Sequence, residues 1–321
     1  MFIFLQGSVQ ADSFVNCDFS RSFEVELTQK SVIGEASLRE HTIIWHPVKQ
    51  KYYLLADVIS LSSKHHPNSY ESEIHLFSSK DLSRWHYHGV AINKGASAGA
   101  YDRYGVASPV AATLKNGMIL CPFSARRTEQ FTRRSVGLAY SGVDPEQIPW
   151  QKTAEPISDL PGEDDDTALL SDDSGRRFHL YHRTAGPDGY QIMHRESTDA
   201  LQPGSWSNAV AVAPYPETVR AQELTGAALI DGAYHLFVIE HFYQGAAKIA
   251  HLVSRTPAGP FQPFLKNQRY LQGKDQPKGL IYSGHITPVV KDGSLAAFFW
   301  TVSQKGKRYG LAGHPVIQTT P

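Results

Sequence analysis

Apolar residues in this chain fall into short runs separated by tight polar turns, and helical periodicity is almost absent. The recurring unit is an apolar run, a turn containing Gly or Asp, and an aromatic-rich return run, which is the signature of a β-hairpin. Residues 42–46 turn at 47–51 into 52–56, and 106–114 turn at Lys115-Asn116-Gly117 into 118–123. Residues 167–171 turn at Asp172-Asp173-Ser174-Gly175 into 178–182. The last two units turn at Asp231-Gly232 and at Asp292-Gly293. Two further strand-like runs follow within a unit, as at 73–79 and 85–92 in the first.

The units open at Glu40, Ser108, Asp166, Glu223 and His285, which lie 68, 58, 57 and 62 residues apart. A recurrence of this length, with about four strands per repeat, predicts a β-propeller. The expected fold is all-β, a single five-bladed β-propeller over residues 38–321. Residues 1–37 form an N-terminal segment expected to act as a closing strand or a cap.

Composition narrows the function classes. The chain has 321 residues, 41% hydrophobic and 11% aromatic, enough for a sizeable core. Lys plus Arg balances Asp plus Glu at 31 each, so charge makes no case for nucleic acid or an anionic membrane. No apolar stretch approaches a bilayer-spanning length. Residues 1–11 carry an apolar patch at 2–5 but lack the basic start and long apolar core of a secretory signal. Cys17 and Cys121 make neither a disulfide framework nor a metal spacing, and Cys121 is expected to be a buried thiol. There is no phosphate-binding loop, dinucleotide fingerprint, HExxH or nucleophile elbow.

Propeller geometry gives the acidic residues a meaning. The innermost strand of every blade lines the axis, so the residues that open those strands meet at one end. Glu40, Asp166, Glu223 and His285 hold those positions. In the acidic run 163–166, Asp164 and Asp165 read as a solvated loop, whereas Asp166 leads directly into its strand. Crowded carboxyl groups raise one another's pKa and separate into protonated and ionised roles. Glycosidic cleavage needs that separation, with an acid for the leaving oxygen and a base or nucleophile on the opposite face.

At these positions the chain resembles the five-bladed propeller glycosidases of glycoside hydrolase family 43 and its relatives, families 32, 62 and 117. Residues 39–53 match the first-blade strand and its Tyr52-Tyr53 pair, with Glu40 where the family has Asp and His41 where it has Pro. Residues 166–175 match the third-blade Asp and turn without a gap. Glu223 lies nine residues before Gly232, as in the fourth blade, although Leu-Thr follows it instead of Gly-Pro. Gly284-His285 matches the fifth blade. The resemblance implies an inverting O-glycosyl hydrolase acting on a terminal sugar of a plant or algal oligosaccharide. It makes Glu40 the general base, Asp166 the pKa modulator and Glu223 the general acid. The chemistry requires no cofactor.

Substrate contacts are expected from His41, Asp102, Arg126, His182, Arg220, Gln222, His241 and His285. Tyr101-Asp102-Arg103-Tyr104 suits stacking and hydroxyl recognition, or a surface loop. His285 reads equally as a satisfied core residue or as the holder of a structural calcium ion or an ordered water at the axis. Two other function classes compete. A polysaccharide lyase would use rim His, Tyr and Arg residues, and a non-catalytic carbohydrate-binding propeller would fit the altered first motif.

Overall fold

The computed structural model describes residues 14–18, 26–27, 36–60, 72–128, 133–172, 175–186, 189–213, 223–240, 248–264, 273–274, 280–304 and 309–319. These form five antiparallel sheets, the blades of a β-propeller, whose innermost strands pack against one another in a ring. Blade I runs outward through Ala36–His46, Lys51–Ser60, Ser72–Ser79 and Arg84–Ile92, with Glu26–Leu27 added in parallel at its edge. In blade II two short strands, Gly105–Ala107 and Ala112–Thr113, share the innermost place beside Ile119–Arg126; Arg134–Tyr140 and Gln151–Lys152 follow. Blade III is Asp164–Ser171, Phe178–Gly186, Gly189–Ser197 and Val210–Ala213. Blade IV is Glu223–Ile230, Ala233–Glu240, Lys248–Ser254 and Gln262–Pro263. Blade V is Leu280–Lys291, Ser294–Gln304 and Tyr309–Thr319, and Phe14–Asp18 pairs antiparallel with the last of these.

The turns obey the chemistry of their residues. Asp231 and Gly232 have φ of 50° and 69°, and Asp292 and Gly293 have 51° and 78°. Two successive left-handed residues match the right-handed twist of the strands they join.

The second strand of each blade is largely buried on both faces because a neighbouring blade covers each one. Leu54 packs toward blade V with Phe299 and Trp85, and the adjacent Leu55 packs toward blade II with Cys121 and Phe123. Leu236 and Phe237 divide between blades III and V in the same way. Five apolar clusters result, one at each interface between blades. Trp85, Trp150, Trp206 and Trp300 all lie in them. Fully burying one large side chain stabilises by about 1.5–3 kcal/mol, so these clusters fix the blades as a rigid ring.

That ring positions the site. At one end of the axis the pairing of four inner strands slips, between Leu38 and His41, Asp165 and Thr167, Leu224 and Gly226, and Tyr282 and Ile286. A slip of this kind bends the strand and re-aims a side chain. Asp166 at φ 47° and Ser108 at φ 51° adopt left-handed backbone there.

Candidate active site

Glu40 sits in the blade I slip and is 8% exposed. Its Oε1 pairs with the Arg39 guanidinium, and its Oε2 accepts a hydrogen bond from Ser108 Oγ at 2.5 Å. Its backbone N–H donates to Asp57 Oδ1 at 2.6 Å, so the fully buried Asp57 on the return strand pins the slipped backbone. Asp166 N–H donates to Ser124 Oγ at 3.1 Å, which fixes the blade III slip against blade II. Asp166 Oδ1 lies 3.3 Å from Ser108 Oγ, and Oδ2 lies 3.1 Å from Arg183 Nε. Glu223 is the half-buried first residue of the blade IV inner strand.

These groups titrate apart. Burial pushes Glu40 upward, but Arg39, His285, the Ser108 hydrogen bond and Arg134 together hold it down at about 2. Burial and the charge of Glu40 raise Glu223 to about 7, against the pull of Arg183 and Arg39. Burial, then Asp165, pushes Asp166 well above the ordinary carboxyl range. Asp57 rises to about 7 through burial and the nearness of Glu40. At neutral pH the cluster therefore favours an ionised Glu40 beside a Glu223 that titrates within reach of neutrality.

A second layer neutralises the cluster. Asp165 is fully buried and accepts from Arg183 Nε at 2.9 Å and Nη2 at 2.5 Å, while its other oxygen takes the Arg134 guanidinium. Arg183 Nη2 also reaches Glu163 at 3.1 Å. A cavity of about 20 Å³, the room of one water, lies beside Glu40 between Arg39, Ser108, Ser124, Arg126 and Arg134. Further down the axis a larger cavity of about 210 Å³ is lined by residues such as Ile44, Val110, Leu170, Thr225 and Thr287. None of the described residues lining it is ionisable.

No protein-family model and no curated protein sequence matches the chain. Solved structures do. A thermostable family-43 glycoside hydrolase matches over 89% of this chain and 90% of its own, with a TM-score of 0.65 and 19% identity. A family 117 glycoside hydrolase from the marine bacterium Zobellia galactanivorans matches over 95% and 90%, with a TM-score of 0.67 and 14% identity. An endo-arabinase from Bacteroides thetaiotaomicron matches over 94% and 98%, with a TM-score of 0.59 and 15% identity. The chain has the fold of the glycoside-hydrolase propellers.

Within the propeller, Glu40, Asp166, Arg126 and His285 lie in the region of the slipped strands. Arg126, 6% exposed, lines the small cavity beside Glu40. Arg220, Gln222 and His241 lie outside the described residues. Three expected substrate contacts are buried within or between the blades. The His41 ring is fully buried and turned to blade V, with Nε2 3.2 Å from the Phe299 carbonyl and Nδ1 3.2 Å from Thr301 Oγ1. Burial, then His285, lowers its pKa to about 3, so it is a neutral wedge between blades. His182 is fully buried and its Nδ1 donates to Asp164 Oδ1 at 2.5 Å, which ties the ring to its own blade. Asp102 is buried and ion-paired with Lys152 on the outermost strand of blade II. The neighbouring Tyr101 stacks on Phe123 in the core, so this segment is a structural latch.

The acidic run also differs from its solvated reading. Asp164 and Asp165 are both fully buried, because His182, Arg134 and Arg183 supply their partners. His285 Nε2 donates to the His41 carbonyl at 2.9 Å. Among the described residues no three His, Cys, Asp or Glu side chains are grouped to hold an ion. Calcium takes six to eight oxygens, a set that the described residues around His285 do not supply. The sequence reading missed Arg39, Asp57, Ser108, Arg134 and Arg183 as parts of the site. Asp57 carried a signal, being a lone acid inside the apolar run 52–58.

Proposed function

We propose that this protein is a glycoside hydrolase that removes a terminal sugar from a plant or algal oligosaccharide. The observation that carries the reading is the meeting of Glu40, Asp166 and Glu223 at the slipped ends of three inner strands, where Glu40 is held low by Arg39 and Glu223 is raised by burial and Glu40. Glu223 gives its proton to the glycosidic oxygen as the bond to the anomeric carbon breaks. Glu40 takes a proton from the water that attacks that carbon from the other face. Asp166 lies in the field of both groups, and burial, Asp165 and their charges favour its protonated form. Inversion is supported by Glu40 having both oxygens engaged, one by Arg39 and one by Ser108. That setting suits a base more than a nucleophile that must reach carbon. The neighbours described as an endo-arabinase and as an enzyme of a marine bacterium make plant and algal sugars the first substrates to try.

The test is a panel of p-nitrophenyl glycosides and plant and algal oligosaccharides, comparing the wild type with Glu223→Gln. Turnover that falls by about 10²–10⁴-fold matches loss of a general acid, and NMR of the first-formed anomer reads the stereochemistry. Turnover that survives removes Glu223 from the reaction. Products with unsaturated-uronate absorbance would mark a lyase, and binding without turnover a carbohydrate-binding propeller. Of the rim histidines that the lyase reading would use, His182 is fully buried with its Nδ1 held by Asp164.

A further inference from the structure

We propose that Ser108 is a positioning residue whose hydroxyl joins Glu40 to Asp166, so that three blades share one hydrogen-bonded chain at the reacting end of the axis. Its catalytic meaning rests on the glycosidase reading, whereas the chain itself rests on geometry. Ser108 Oγ lies 2.5 Å from Glu40 Oε2 and 3.3 Å from Asp166 Oδ1. A hydroxyl has one proton to give, so it cannot donate fully to two carboxylates. When it donates to Glu40, the contact with Asp166 is filled by a proton that Asp166 carries. Burial and Asp165 favour the protonated form of Asp166, while Glu40 is held ionised. The protons therefore run from Asp166 to the Ser108 oxygen, and from Ser108 to Glu40.

The backbone is shaped for this contact. Ser108 sits at φ 51° where the innermost strand of blade II is broken between Gly105–Ala107 and Ala112–Thr113. The other groups facing Glu40 are Arg39 on its own strand, Asp57 on the return strand, Arg134 from blade II, Asp166 from blade III, Glu223 from blade IV and His285 from blade V. Arg39 holds one oxygen of Glu40 and Ser108 fixes the other, so the carboxylate plane is set from two sides.

The experiment uses Ser108→Gly, which removes the hydroxyl and accepts left-handed backbone without strain. Infrared difference spectra at neutral pH, wild type minus Asp166→Asn, should show the C=O stretch of a protonated carboxylic acid. In Ser108→Gly that band should move to higher frequency or disappear, because Asp166 has lost its acceptor. The acid limb of the kcat/KM profile should move up by about one pH unit, the worth of one hydrogen bond to a charged group. An Asp166 band that is absent in the wild type, or identical in Ser108→Gly, overturns the proposal. The band decides even if no glycoside is turned over, in which case the bridge stands and the glycosidase reading fails. Ser108→Cys, a weaker donor of similar size, should give a smaller displacement, and it replaces the Gly variant should that variant not fold.

Discussion

Replacing Glu223 by Gln should stabilise the protein at alkaline pH while removing its turnover. Glu223 titrates at about 7 in the fold against an ordinary 4.5, through burial and the charge of Glu40. Each unit of displacement is worth about 1.36 kcal/mol, so the ionised group destabilises the fold by at most about 3 kcal/mol. The side chain is half-buried, and solvent screening reduces this to about 1–3 kcal/mol. The sign follows from linkage. Above pH 7 the carboxyl is ionised in both folded and unfolded chains, and the folded state carries the whole cost. Below pH 4.5 it is protonated in both, and the cost is gone. Gln is neutral at every pH, so its advantage should be full near pH 8.5, shrink as pH falls through 7, and vanish near pH 4. Thermal or urea unfolding at pH 8.5 and pH 4.5 reads the difference, about 2–6 °C in Tm at the higher pH. A Gln variant equally displaced at both pH values, or destabilised at pH 8.5, would refute the electrostatic account of Glu223.

Three other outcomes are expected. Activity should fall as pH rises above about 7, because the acid Glu223 must carry its proton; a kcat/KM profile rising through pH 9 would contradict that role. Arg183→Met should destabilise by about 3–5 kcal/mol, since it strips the buried Asp165 of a cation, and denaturant unfolding measures it. Gly137→Ala should cost about 1–3 kcal/mol, because a Cβ there would lie 2.4 Å from Phe123 Cζ; an unchanged unfolding midpoint would show that the ring has room to move.

The fold was legible because its signals are local. Asp231-Gly232 and Asp292-Gly293 dictate their own turns, and their spacing sets the repeat. The residues that open the inner strands were legible too, since propeller symmetry brings equivalent positions together whatever lies between them. What escaped depends on partners distant in sequence. Asp165 looks like a solvated acid until Arg134 and Arg183 close over it from other strands. His41 looks like a pocket residue because it follows Glu40, but strand alternation turns its ring toward Thr301 on blade V. Ser108 stood among the repeat openings, yet a serine has no titration to announce it. Its role appears only once Glu40 and Asp166 stand on either side.

The pairing of Phe14–Asp18 with Tyr309–Thr319 has a kinetic consequence. Phe14 lies opposite Thr319, so blade V is knit from strands about 300 residues apart. Such a distant contact is slow to form. On the ribosome the earlier strand must wait for about 300 further residues before its partner emerges. Until then its edge and that of the unfinished blade are exposed, a state prone to pairing with other chains. Once knit, the contact locks the ring against opening from either end, which favours slow unfolding over rapid refolding as the source of persistence.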